Sequence, residues 1–309
     1  MINLGYACIN MSLSSGSKKS RVTTNRGMIK RTFLEKGEVY ASELALQNLR
    51  DLLTILKWNR DNGISFFRMS SDIFPWASEY NIDELPNYEL LLDAAQKAGR
   101  FALSNNMRLT SHPGPFNKLC SYKEGVVSNT IKDLEIHGKL FDMMGLSRTP
   151  FNKINIHVGA AYDSKKDALG SFCRNFDRLS DAVKSRLTVE NDDRPSLYST
   201  HELYDGVYKD LSIPIVFDYH HHKFRNDGES EQEALELASE TWGDIKQVVH
   251  YSESKRYECN DLSIKENAHS DYVYEKLNAY SRELDVMIEA KAKEKALLKY
   301  RTIHFQSEV

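Results

Sequence analysis

Short apolar runs alternate along this chain with longer stretches whose leucines recur at helical spacing. Residues 2–8 (INLGYAC), 64–70 (ISFFRMS), 107–112 (MRLTSH), 153–159 (KINIHVG), 186–191 (RLTVEN), 213–222 (IPIVFDYHHH), 245–252 (IKQVVHYS) and 284–291 (LDVMIEAK) read as strands. Most are apolar on successive residues, as strands buried on both faces are. Between them the period changes. In 42–62, Leu44, Leu46, Leu49, Leu52, Leu53 and Leu56 mark a helix that Gly63 stops. Further helices are predicted over 87–104, 123–145 (ending at Gly145), 165–184, 199–209, 230–240 and near 271–278, with a Lys/Ala/Leu-rich helix after the last strand.

Eight strands separated by helices fit two α/β architectures, a doubly wound open sheet or a (β/α)8 TIM barrel. No GxGxxG follows the first strand, and eight units in one chain favour the barrel. The expected organisation is a single TIM-barrel domain over 1–309. Residues 1–295 form the barrel, and 296–309 the end of the terminal helix and a frayed tail.

The C-terminal ends of barrel strands build the active site, and here those ends are unusual. Strand 2 leads to Asp72, strand 3 to His112, strand 4 to His157 and strand 5 to Glu190. Strand 6 offers Asp218 with the triplet His220, His221 and His222. Strand 7 ends at His250, its following loop carries His269, and strand 8 ends at Glu289. A lone strand-end histidine is usually a hydrogen-bonded structural residue. Seven successive strands ending this way need another reason, because converging carboxylates are costly without a counter-charge. Divalent cations supply that charge, and mixed imidazole and carboxylate donors suit Zn2+ or Mn2+. The candidates exceed what one ion takes, so two or three ions are expected. Such a cluster is a device for displacement at phosphorus. His137, His201 and His304 lie in helices or the tail and read as structural.

Composition narrows the setting. With 41% hydrophobic and 28% charged residues the chain can build a large core. No apolar run of about 18 residues predicts a membrane helix, and MINLGYACIN lacks the pattern of a secretory signal. Cys8, Cys120, Cys173 and Cys259 form no CxxC pair, which fits reduced thiols. A cytoplasmic protein is expected, or a nuclear or organellar one in a eukaryote. A net charge of −3 does not announce a nucleic-acid binder. Residues 15–31, however, hold Lys18, Lys19, Arg21, Arg26, Lys30 and Arg31 and no acid. That segment is either a solvated loop or a phosphate-binding one. There is no P-loop, so ATP is not expected.

Ten ordered blocks resemble the UV damage endonucleases: LGYACIN at the start, TTNR (23–26), NLRDLLTILKWNRDNGISFFRMSSDIFPW (48–76), SHPG (111–114), IHVGAAY (156–162), VENDDR (189–194), FDYHHH (217–222), VHYSES (249–254), HSDY (269–272) and IEAKAKE (288–294). The resemblance implies a barrel related to endonuclease IV, with a cluster of two or three divalent metals, manganese first and Zn2+ or Mg2+ next. The substrate it implies is UV-damaged double-stranded DNA, nicked 5′ to the photoproduct to leave a 3′-hydroxyl and a 5′-phosphate. Carried over by motif, the metal ligands are His112, His157, Glu190, Asp218, His221, His250, His269 and Glu289. Asp72 falls at a position that varies among relatives. Glu190, Glu289 and His250 are the expected catalytic residues. Tyr6 and Asn10 match positions directed at the lesion, and Phe116 would wedge into opened DNA beside Pro115. Lys18, Lys19, Arg21 and Arg26 would hold phosphates. No membrane partner is implied, and a monomer is expected. Two departures stand out. Pro115 replaces the usual glutamine and cannot make its hydrogen bonds. Val248 replaces a lysine that many relatives carry two residues before the strand-7 histidine. The rival readings are an abasic-site endonuclease of endonuclease IV type, a metal-dependent sugar isomerase, and a damage-binding protein without catalysis.

Overall fold

A computed structural model of the chain describes residues 2–17 and 20–305. Eight parallel strands close on themselves: β1 (Ile2–Ala7), β2 (Phe66–Arg68), β3 (Arg108–Thr110), β4 (Ile154–Ile156), β5 (Leu187–Glu190), β6 (Ile215–Asp218), β7 (Gln247–Tyr251) and β8 (Leu284–Ile288). Ladders join β1 to β2 and β8, β2 to β3, and β4 through β8 in sequence. The last seam, β3 to β4, closes through a parallel bridge between Ser111 and Ile154. There Ser111 N donates to Lys153 O at 3.0 Å, and Asn155 N donates to Ser111 O at 3.0 Å. This is the expected (β/α)8 TIM barrel.

Strand side chains alternate between two faces, and the two faces have different fates. Leu4, Tyr6, Phe67, Leu109, Ile154, Ile156, Val189, Phe217, Val249, Val286 and Ile288 pack outward into one cluster with the helices, including Leu49, Leu52 and Ile55 of the helix Lys30–Asp61. The opposite parity fills the barrel. Ala7, Phe66, Val216, Val248 and Met287 form a separate small cluster with Trp242. Gly5 is required at this level, because a Cβ there would meet the Phe66 ring at 2.5 Å. Beneath it lies a polar floor. Buried Arg108 donates to Asp285 at 2.8 Å and to the carbonyls of Lys246, Phe151 and Pro150 at 2.7, 2.7 and 3.0 Å. The next inward residues up each strand reach the mouth.

Four expected elements differ, the first being the helix predicted over 165–184, which is two helices, Lys165–Phe176 and Asp181–Lys184. The helix predicted over 42–62 begins earlier, at Lys30, and is interrupted at Gly37, whose φ of 59° is open to glycine. The strand predicted over 213–222 ends at Asp218. The Asp218 carboxylate accepts from His220 N at 2.7 Å and His221 N at 2.9 Å, which turns Tyr219–His222 into a single helical turn. The helix near 271–278 does not form. Glu258 accepts from the Asp271 and Tyr272 amides and Glu253 from those of Tyr274 and Glu275, so side chains satisfy donors that a helix would have used. A short helix lies earlier in that connection, at Lys255–Cys259.

Candidate metal centre

Glu190 is the hub of the mouth. One carboxylate oxygen, Oε2, stands 3.1 Å from His112 Nε2 and 3.8 Å from His157 Nε2. The other, Oε1, stands 3.1 Å from His250 Nδ1 and 3.4 Å from His221 Nδ1. His250 Nδ1 is also 3.1 Å from Glu289 Oε1. Three donor triads result, each with its ligand atoms within 4.8 Å of one another: His112–His157–Glu190, Glu190–Asp218–His221 and Asp218–His250–Glu289. They share Glu190 and Asp218, so the donors form a connected chain.

The positions follow from strand parity. Glu190 lies two residues beyond inward Thr188, Asp218 two beyond Val216, His250 two beyond Val248 and Glu289 two beyond Met287. Each therefore faces the barrel axis at its C-terminal end. Val248 does lie on the His250 face, as expected. The polar group below His250 comes instead from the start of β4, where Lys153 Nζ is 3.5 Å from His250 Nε2.

A second tier of residues aims the imidazoles. Nδ1 of His112 faces Pro113 O at 3.1 Å, that of His221 faces Asn191 O at 2.8 Å, and that of His269 faces Ser252 Oγ at 2.7 Å. His157 Nδ1 stands 3.2 Å from Asp192 Oδ1. These tethers leave Nε2 as the free nitrogen. The run Glu190–Asn191–Asp192–Asp193 thus divides its labour. Glu190 enters the site, Asn191 clasps the Asp218 backbone through two hydrogen bonds of 2.7 and 3.0 Å, and Asp192 holds His157. Asp193 accepts from Asn267 in the loop that carries His269.

Electrostatics match a cation-binding set. Burial opposes the ionisation of Glu190, yet the imidazoles of His250 and His157 overcome it and hold the carboxyl well below its usual range. Glu289 is partly buried, and it too is held low against the cost of burial, chiefly by the Arg68 guanidinium with which it is paired. Burial pushes Asp218 up to about 6, aided by Glu190 and Glu289 and opposed by His221. Burial lowers His157, but Glu190 and Asp192 outweigh it and raise the imidazole to about 10. Burial keeps His112, His250 and His269 low, toward the neutral form that ligates metals. The donors fit divalent cations. Asp218 Oδ2 is fully buried with no hydrogen-bond partner among the described residues, and carboxylates this close together require positive charge.

Not every expected ligand joins the cluster. Asp72 is exposed and lines a groove of about 770 Å³ with Asn129 and Asp133, on the far side of the Pro113–Asn117 loop. The mouth position of β2 belongs to Arg68, which was not foreseen. His269 lies at the edge, its ring 6.2 Å from that of His221, and belongs to none of the triads.

The expected DNA contacts divide as well. Phe116 is 88% exposed beside exposed Pro115, at the lip of a 330 Å³ cavity that opens on His112, His157 and His221. Tyr6 and Asn10 are buried. Tyr6 has the outward parity, so its hydroxyl donates to Asn59 at 2.7 Å and accepts from Asn10 at 2.9 Å. They brace the turn Met11–Ser14 from beneath, contrary to the expectation that they face a lesion. Arg26 is half-buried and tied to Asp51 and to the carbonyls of Thr23 and Arg21, so both terminal nitrogens of its guanidinium are already engaged within the protein. Arg21 is exposed. Lys18 and Lys19 lie outside the described residues.

A family model described as UV-endonuclease UvdE matches residues 2–307. The UV-damage endonuclease of Schizosaccharomyces pombe is 37% identical over 95% of this chain, which spans 49% of that protein. The UV DNA damage endonuclease of Clostridium perfringens is 33% identical over 96% of this chain and 69% of that protein. The crystal structure of SacUVDE superposes with a TM-score of 0.84 at 29% identity, covering 98% of both chains. A D-psicose 3-epimerase shares the barrel at 13% identity and a TM-score of 0.52.

Proposed function

The chain belongs to the UV-endonuclease UvdE family, and from that premise we propose that it is a metal-dependent endonuclease of DNA repair. Its substrate is duplex DNA carrying a UV photoproduct. It hydrolyses the phosphodiester on the 5′ side of the lesion and leaves a 3′-hydroxyl and a 5′-phosphate. The observation that carries this reading is the run of three donor triads sharing Glu190 and Asp218 at the barrel mouth. Two or three divalent ions, Mn2+ first among them, would be held by His112, His157, Glu190, Asp218, His221, His250 and Glu289, with His269 at the margin. When bound, such ions polarise the phosphorus–oxygen bonds and activate water.

The chain's own residues do the rest. Glu190 and Asp218 hold adjacent sites together, because each belongs to two triads. Arg68 fixes Glu289 in its ionised form. Glu190, Glu289 and His250 are the catalytic groups, with one oxygen of each carboxylate 3.1 Å from His250 Nδ1. A photoproduct weakens stacking, so extruding it costs less than extruding a normal pair. Phe116, on the lip, fills the opened space. Arg21 and the basic segment around it attract the phosphate backbone.

The decisive experiment incubates the purified chain and Mn2+ with UV-irradiated and untreated supercoiled plasmid. Nicking of the irradiated plasmid alone, with ends that a polymerase extends directly, is the expected result. Cutting restricted to abasic sites would replace this reading with the abasic-site one. The likeness to the epimerase concerns the fold alone.

A further inference from the structure

Two loops at the mouth are zipped together by three successive contacts. The loop after β3 supplies Lys118, Cys120 and Tyr122, and the loop after β4 supplies Gly159, Ala160 and Tyr162. The Lys118 stem packs on Gly159, where a Cβ would sit 3.6 Å from Lys118 Cγ. Cys120 Sγ faces Val158 O at 3.0 Å and Ala160 O at 3.6 Å. The Tyr122 and Tyr162 rings then meet with centroids 4.4 Å apart and planes 38° apart. The wall begins at the metal cavity, which Lys118 and Gly159 both line, and it ends in two tyrosines that are 51% and 44% exposed.

That end has a conformational oddity. Tyr162 has a φ of 48°, the left-handed region that a bulky residue rarely occupies. Asparagine or glycine would hold this turn with less strain. A residue kept in such a conformation, with its ring on the surface, points to a use for the ring. The two ends of the wall also differ in charge. Lys118 has no acidic partner among the described residues and suits a phosphate. Lys123 follows Tyr122 and Asp163 follows Tyr162 in the chain, so that end carries charges of both signs, and its two exposed rings suit the uncharged face of a base.

We propose that Tyr122 and Tyr162 form a stacking platform for an unpaired base of the substrate strand, while Lys118 holds a phosphate between that base and the metal centre. The wall from Lys118 to Tyr122 spans at most about 14 Å. With one phosphate per ~3.4 Å of strand, the stacked base lies within about four nucleotides of the phosphate at Lys118, which itself lines the metal cavity. The platform rests on the reading of the protein as an endonuclease of opened DNA. It adds a contact on the β3–β4 side of the mouth. Base stacking is tolerant of sequence, so the platform would grip the distorted strand whatever bases flank the lesion.

The test places 2-aminopurine singly at each of the four positions on either side of the scissile bond in a photoproduct duplex. Binding and nicking by the full Mn2+-loaded chain are then compared with Tyr122→Ala, Tyr122→Leu and Tyr162→Asn. The wild type should quench one or two adjacent positions several-fold, and all three variants should restore that fluorescence. KM should rise about tenfold, with kcat within twofold and metal content unchanged. Tyr122→Leu keeps the bulk and removes the π face, and Tyr162→Asn keeps the left-handed turn, so neither loss reflects misfolding if the melting temperature holds. If Tyr162→Asn melts higher and KM stays within twofold for all three variants, the tyrosines are ordinary surface and the platform is wrong. A wild type that neither binds nor nicks the damaged duplex removes the underlying reading together with this one. Nicking with an unchanged KM removes this one alone.

Discussion

Replacing Asp192 by asparagine isolates the contribution of a group that touches no cation. Asp192 Oδ1 stands 3.2 Å from His157 Nδ1, and its Oδ2 accepts from Tyr198 N at 3.3 Å. Both side chains are largely buried, with 6% of Asp192 and 23% of His157 exposed. Once a cation has displaced the second proton of His157, the carboxylate keeps the remaining one on Nδ1 and leaves Nε2 as the ligand atom. Asparagine has the same shape. It can keep its oxygen on Tyr198 N, and it then turns an N–H toward His157 Nδ1. Imidazole answers by moving its proton to Nε2, the atom that should bind metal. Outer partners of this kind typically change metal affinity or activity 10- to 100-fold, about 1.4–2.7 kcal/mol. Asp192→Asn should therefore weaken the His112–His157–Glu190 site by that factor and leave the fold intact. Calorimetric titration of the metal-stripped chain with Mn2+, with metal content counted at saturation, reads the affinity, and plasmid nicking reads its consequence. If the variant binds Mn2+ and nicks as the wild type does, Asp192 does not set the His157 tautomer and the reasoning fails.

Further outcomes follow from the same geometry. Cation and proton compete for His157, raised to about 10, and for Asp218, raised to about 6. Mn2+ uptake at pH 7.5 should thus release at least about one proton, detected by calorimetry in buffers of different ionisation heat. Affinity should rise with pH across 6–9, the direction in which the competing proton leaves, and uptake without proton release would contradict the assignment. Asp72→Ala should leave metal content and kcat unchanged, because Asp72 lies outside the triads; loss of an ion on elemental analysis would return it to the ligand set. Asp285→Ala strips the buried Arg108 of its charge partner on the barrel floor. Urea denaturation should show a loss of about 3–5 kcal/mol, with nicking per folded molecule retained.

Much of this architecture is legible in one sequence. Parallel strands buried on both faces must be apolar on successive residues, so their runs are visible without any partner. Polar residues cannot continue such a run, so Glu190, Asp218, His250 and Glu289 mark the strand ends plainly. The departures are equally physical. The triplet His220–His222 looks like strand because its preceding residues are, yet a single capping carboxylate at Asp218 turns it helical. Tyr6 looks available because a tyrosine near a strand end often is. Parity decides otherwise. Tyr6 shares its face with Leu4, and counting by twos from inward Gly5 and Ala7 would have sent it outward to Asn59.

What the chain alone determined is therefore the list of strands, their order, and which residue types stand at their C-terminal ends, since these depend on local periodicity and on the cost of burying polar groups. Which of those groups meet was decided only by closing the cylinder. Arg68 finds Glu289 across 221 residues, Lys153 slides beneath His250, and Asp72 is left on a different groove. Hydrogen-bond register between distant strands sets those meetings, and register is a property of the closed sheet that no window of the sequence contains.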